Sequence, residues 1–227
     1  MAKHTWSYLY NTFEKNTRKS NVKMLSIATD TFSKLQAQNQ IQAVATILNT
    51  YEPVFQAYRT ICIQYDIAAG NRQGNTLNVK LIFKDDLPEQ LRKWEAIVRS
   101  FYVEDSPQEK AIFPNKREPF FKGTYEDRIL SIDVLAKSLI ADGNFASLVT
   151  EVQSFYNLLL TARDSQQQQE GMLGLMSKTR EAQRQLMATE LYAAMAMLMF
   201  HYKNNPEMVA GYFDLSLLRY RVKKKDE

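Results

Sequence analysis

Several residue types that shape folds and sites are scarce in this 227-residue chain, which has one cysteine, two histidines, seven glycines and six prolines. A β fold of this length needs many tight turns, and the residues that favour such turns are scarce, so the composition favours long helices with few connections. Because Cys62 has no second cysteine to pair with, an internal disulfide is excluded, and the chain suits a reducing compartment.

Long hydrophobic runs are also missing. The longest, Leu191–Phe200, has ten residues, about half of what a helix needs to cross a bilayer. Met1–Ser20 is polar and basic, without the apolar centre of a secretion signal. We therefore expect a soluble, cytoplasmic protein that makes no membrane contact.

The residues that commonly build catalytic and metal sites do not occur in useful spacings. A di-iron site in a helical bundle needs Glu-x-x-His pairs, and neither His4 nor His201 has a glutamate three residues before it. A single cysteine cannot supply a zinc site, and no glycine-rich phosphate loop or Gly-x-Ser-x-Gly turn is present. Cys62 lies between Ile61 and Ile63, as expected of a core residue. We expect neither a cofactor nor enzymatic activity.

Apolar residues recur at alternating intervals of three and four, which predicts an all-α fold. The pattern predicts helices around Leu25–Leu35, Ile41–Tyr65, Pro88–Phe101, Ile129–Leu139, Phe145–Ala162 and 175–204. Glycines and asparagines predict a loop over 69–78, followed by a short extended piece over 79–83. A glutamine run before Gly171 and Gly174 indicates that Gln166 and Gln169 face water or project beyond the core. The expected architecture is a bundle of about six principal antiparallel helices with short terminal helices.

The chain divides into two helical halves, 1–103 and 124–227, joined by an irregular crossover over 104–123 with three prolines. Ten apolar positions between Leu25 and Tyr58 match positions between Ile129 and Ala162 at a constant offset of 104 residues. The same offset places Leu87–Val98 on Leu191–Tyr202. This register predicts a duplicated three-helix unit whose halves form one domain around a pseudo-two-fold axis.

Two apolar segments are candidates for partner contacts. Leu191–Phe200 is apolar on every side, so it is interpreted as a central helix covered on all faces, or alternatively as a self-association surface. The second segment is the crossover. Its phenylalanines either pin the crossover onto its own bundle or dock another subunit. The candidate partner-binding residues are Phe113, Phe120, Phe121, Met195, Met197 and Met199.

Positive charge is concentrated at both ends of the chain, although the net charge is only +4. Without residues 1–23 and the last nine, the remainder has 19 basic and 22 acidic residues. The ends are interpreted as solvated helix faces or as contacts for phosphates or an acidic partner. The residues concerned are Lys15, Arg18, Lys19, Lys23, Arg219, Arg221, Lys223, Lys224 and Lys225.

The sequence thus favours a non-catalytic structural or assembly protein that acts through protein–protein contacts or self-association. The alternative is a helical accessory subunit that binds nucleic acid through its basic termini. Salt separates the two hypotheses, because affinity for nucleic acid falls steeply with salt whereas an apolar interface changes little.

Overall fold

The computed structural model describes residues 11–14 and 20–218, and every regular element within them is helical. The all-α bundle prediction is confirmed. None of the helices in this part of the chain has both the length and the apolar character needed to span a membrane. The elements are α1 (Ser20–Ala37), α2 (Gln42–Leu81), a π-helical turn (Ile82–Asp86), α3 (Leu87–Phe101), α4 (Pro107–Ile112), a 3-10 turn (Glu118–Phe120), α5 (Tyr125–Asp142), α6 (Ala146–His201), α7 (Glu207–Ala210) and a second 3-10 turn (Leu215–Leu218).

The loop and the extended piece predicted over 69–83 are wrong, because α2 continues through them to Leu81 and into the π-helical turn. The break predicted between Ala162 and residue 175 is also wrong, since α6 is one helix of 56 residues. A glycine costs a helix only about 1 kcal/mol. Burial of Val79 on α2 and Leu173 on α6 offsets that local cost.

The helices form two compact units, one of residues 1–68 and 173–227 (unit 1) and one of residues 69–172 (unit 2). Each unit therefore draws on both sequence halves. The divisions after residues 68 and 172 are 104 residues apart, the same offset as in the sequence pattern. The short helices α1 and α5 both have 18 residues. Residues 104 apart are buried alike in several pairs, such as Leu35 with Leu139 and Leu87 with Leu191.

Unit 1 packs α1, the first part of α2 and the last part of α6 around one core, which α7 and its neighbours also contact. Phe32 on α1 stacks on Phe55 of α2, with ring centroids 4.7 Å apart. The buried hydroxyl of Tyr51 donates to the Ala28 carbonyl at 2.9 Å, which satisfies a polar group inside the core. The short terminal helix predicted ahead of α1, over about 5–18, falls largely outside the described residues, and residues 11–14 form a turn.

Unit 2 packs α5 and the first part of α6 with the π-helical turn and α3. Its centre is Trp94, fully buried on α3, which meets Phe155 edge-on at 5.5 Å and donates to Glu151 at 3.2 Å. Helix α5 begins with a capping box between Thr124 and Asp127 and ends at Gly143, which is left-handed. Both ends of α5 are thus set by signals within a few residues of each end.

Gln166, predicted to face water or to project, is instead buried in unit 2. Its carboxamide oxygen accepts a hydrogen bond from Arg163 at 2.8 Å, and its nitrogen lies 3.5 Å from the Thr76 hydroxyl. A buried amide is tolerated where it has partners of this kind. The sequence pattern could not show these partners, because Thr76 is 90 residues away along the chain.

Candidate interaction surface

The last three turns of α6 expose apolar side chains on the side that faces away from the core. Leu191, Ala194 and Leu198 are buried, whereas Met197 and Met199 are 43% and 44% exposed and Phe200 is 79% exposed. Met195 is half-buried against the core. The expectation that every face of this segment is covered is therefore wrong. Within unit 1, the core takes up only one face of the helix, and the rest of the methionine-rich segment stays open.

A groove lies between the end of α6 and the start of α2, both in unit 1. It has a volume of about 630 Å³, and we call it the terminal groove; its lining consists of Ala43, Thr46, Ala196, Met197, Phe200, His201 and Lys203. Small residues on α2 leave room beside the large side chains on α6, and among the described residues Lys203 is the only lysine or arginine in the lining. A concave, mainly apolar site of this kind suits an apolar side chain or a helix face.

The crossover phenylalanines divide between the core and the surface. Phe113 and Phe120 are buried in unit 2, where their rings meet at 6.3 Å, whereas Phe121 is partly exposed. Phe113 and Phe120 therefore hold the crossover onto unit 2, which is the interpretation in which the phenylalanines pin the crossover and do not dock another subunit. A smaller groove of about 230 Å³ beside them is bordered by Leu130 and Val134 of α5.

Ion pairs also hold the crossover in place. The buried carboxylate of Glu95 on α3 binds Arg99 at 3.0 Å and Arg117 of the crossover. Arg99 also donates to the buried Glu109 of α4 at 3.0 Å. Burial raises the pKa of Glu109, but its bonds to Arg99 and to the Asp105 backbone outweigh this, so the net pKa lies below the ordinary range. The crossover is therefore a fixed cover over α3.

Most of the predicted basic contacts fall outside the described residues: Lys15, Arg18, Lys19, Arg219, Arg221, Lys223, Lys224 and Lys225. Lys23 is described, and its ammonium donates to the Leu218 carbonyl at 3.2 Å. That bond joins α1 to the second 3-10 turn within unit 1. The structure thus gives Lys23 a role in packing the C-terminal part of the chain onto α1.

Cys62 and His201 are the cysteine and the histidine that the structure describes, and their surroundings bear on nucleophilic and acid–base chemistry. Cys62 is buried, and burial raises the pKa of its thiol, although a bond with Tyr58 opposes the shift. The raised pKa keeps the thiol protonated and unreactive at neutral pH. His201 is the exposed last residue of α6 and meets Tyr202 edge-on at 4.6 Å. In the described residues, no three His, Cys, Asp or Glu side chains cluster as metal ligands would.

Comparison of the chain with protein-family models, with curated protein sequences and with solved structures finds no match.

Proposed function

We propose that this protein is a non-catalytic assembly protein that binds an apolar protein helix at the terminal groove. The observation that carries the proposal is the exposure of Phe200 and Met197 beside that groove. Exposed apolar patches on folded proteins commonly mark sites of protein contact, and methionine adapts to a partner's shape. The reducing compartment that suits the lone cysteine makes the cytoplasm the proposed location.

A photo-crosslinker tests the proposal. Replacing Phe200 by p-benzoylphenylalanine in the full chain should yield a protein adduct of one reproducible mass in cells of the source organism. Leu158 is a matched control, because it lies on the same helix in unit 2 and is 49% exposed. The adduct from position 200 should disappear when Met197→Lys is added, since a lysine in the groove opposes apolar binding.

Each other outcome of this experiment counts against the proposal. The absence of any adduct at position 200, or the same diffuse adducts at positions 200 and 158, would overturn it. If nuclease treatment removes the adduct, the crosslinked partner is a nucleic acid. That result would support the alternative function, binding of nucleic acid by the basic termini.

We also propose that the chain is an internal repeat. Two observations share the same offset of 104 residues. The divisions between the two units are that far apart, and buried residues of one unit match buried residues of the other at that distance along the chain. In each unit, an 18-residue helix packs with the start of the long helix that follows it. Unrelated helical hairpins share the three-four pattern but have no reason to share one constant offset.

A further inference from the structure

Helix α6 carries a second apolar stripe that sequence reasoning missed. Eight residues without a charge recur at intervals of four and three over 175–200, close to four heptads. Seven are exposed and Ala193 is half-buried. We call this stripe the α6 seam; it consists of Leu175, Thr179, Ala182, Leu186, Thr189, Ala193, Ala196 and Phe200. Sustained three-four spacing of this kind is typical of a helix that pairs with another helix.

The seam does not belong to the core of unit 1. The core face of the same helix consists of other residues, among them Met187, Leu191 and Leu198, all fully buried. Two further grooves of about 600 and 620 Å³ lie along this side of α6, and Ala182 lines both; Glu14 also lines the larger one, beside Leu186 and Thr189. The seam residues thus lie outside the core over about 38 Å of α6, from the rise of a helix per residue, and seven of the eight are exposed.

Two seam positions, Ala193 and Ala196, have charged counterparts in unit 2. Helix α3 of unit 2 corresponds to the end of α6 at the offset of 104, as the buried pairs Leu87 with Leu191 and Trp94 with Leu198 show. Where α6 has Ala193, Ala196 and Met197, α3 exposes Glu89, Arg92 and Lys93. Because charged residues are compatible with the same packing in unit 2, the uncharged side chains of Ala193 and Ala196 call for another explanation.

We infer that the α6 seam pairs with the seam of a second copy of this chain, in antiparallel orientation, as a two-fold symmetric dimer. The inference rests on the proposed function and names its partner. A two-fold interface requires one surface to complement itself, with residue i against j and j against i. The seam meets that requirement when Leu175 of one copy faces Phe200 of the other.

In this register every seam residue has a partner. Leu175 and Phe200, which are 67% and 79% exposed, cover each other at both ends of the interface. Leu186 faces Thr189, and the remaining pairs join small residues, Thr179 with Ala196 and Ala182 with Ala193. Small residues on either side of the central Leu186–Thr189 pairs let the two helices approach closely, while Leu175 and Phe200 close the ends. A parallel pair would instead stack Phe200 on Phe200 beside layers of alanine.

The flanking charges that α6 itself carries do not oppose this pairing. At the flanking positions of the proposed register, Lys178 faces Met197 and Glu190 faces Gln185, so like charges do not meet. Glu190 already accepts a hydrogen bond from Thr50 of its own chain at 2.6 Å. Flanking charges normally select between partners, and the flanking charges of α6 are compatible with pairing to α6 of a second copy.

The first test is the mass of the purified full chain by light scattering after size exclusion, at low and high salt. We expect a dimer at both, because an apolar interface is insensitive to screening. Leu186→Glu should weaken the dimer at least about 100-fold, since the carboxylate would be buried without a partner. Leu158→Glu should leave it intact. Both leucines are about half-exposed, and circular dichroism should show that both variants stay folded.

The second test addresses the register. Ala182→Cys and Ala193→Cys, each alone, should not crosslink on oxidation, because the two copies of either residue would be about 16 Å apart along the helix. An equal mixture of the two variants should form a mixed disulfide dimer. Cys62 is buried and out of reach. Crosslinking of Ala182→Cys with itself would overturn the antiparallel register.

The outcomes separate this inference from the proposed function. A monomeric wild-type chain at all micromolar concentrations would overturn the dimer, and so would equal weakening by Leu186→Glu and Leu158→Glu. If the chain is a monomer while position 200 still crosslinks to one other protein, the assembly function survives with a different partner. A monomer without any crosslink overturns both.

Discussion

Helix α3 in unit 2 and the end of α6 in unit 1 bury matching residues, yet one has a charged outer surface and the other an apolar one. On α3, Glu89 and Lys93 form an exposed ion pair at 3.0 Å, with Arg92 beside them. The matching turns of α6 expose Ala196 and Met197. The buried faces of the two helices are alike, so the difference is confined to the outer side. Surface chemistry in this protein is therefore free to vary while the core stays constant.

A second contrast concerns what covers these helices. Glu95 on α3 is buried because Arg117 of the crossover binds it. Met199, its counterpart at the offset of 104, is 44% exposed on α6. Unit 2 thus closes its helix with a segment of its own chain through ion pairs. In unit 1 the matching position stays apolar and open, as expected where a partner supplies the cover.

The largest effect is expected in the core of unit 2. Trp94→Ala should lower the free energy of unfolding by about 4 kcal/mol, because it removes a fully buried indole and its bond to Glu151. The matched change in unit 1, Leu198→Ala, should cost about 3 kcal/mol. Urea titration measures both, and hydrogen exchange should locate each loss in its own unit. A cost below about 1 kcal/mol for Trp94→Ala would contradict its central position.

The next prediction concerns the stability that the Glu109 ion pair of unit 2 contributes, and how it changes with pH. Since the folded pKa of Glu109 lies below its unfolded value, its carboxylate adds stability above the unfolded pKa of about 4.3. That stability is lost as the pH falls through the folded pKa. Glu109→Gln should therefore lower the urea midpoint at pH 7 and flatten its decline toward pH 3. The exposed Glu207→Gln is the control. Parallel pH profiles of Glu109→Gln and the wild type would show that the Arg99 pair has no net effect.

Local pattern predicted the helices and some of their ends, but not which helices are continuous. The end of α5 at Gly143 was readable because it depends on neighbours a few residues away, whereas the capping box at Thr124, which is equally local, was missed. The loop assigned around Gly70 and Gly74 was wrong, because the pattern weighs local propensity and cannot include the distant burial of Val79. Tertiary packing outweighs propensity in such segments.

The candidate surface was predictable only in part. Met197 and Met199, singled out from the sequence, are exposed, whereas Phe113 and Phe120 are buried in unit 2. Leu175 and Leu186 were missed, although their spacing was visible. The stripe through Met187, Leu191 and Leu198 lies on the same helix and matches the same periodicity. A pattern with two apolar stripes does not show which of them the fold buries.

The smallest expected effect tests the continuity of the long helices at one glycine in each unit. A Cβ at Gly74 of α2 or Gly174 of α6 would meet nothing within 4 Å. Gly74→Ala and Gly174→Ala should each raise the free energy of unfolding by about 0.5 to 1 kcal/mol, because alanine favours the helix and restricts the unfolded chain. Gly143→Ala should destabilise, since Gly143 has φ of +82°. Thermal unfolding measures all three. If Gly74→Ala destabilised the protein while Gly174→Ala did not, residues 69–78 would form a loop after all, and only the helix that carries the seam would be continuous.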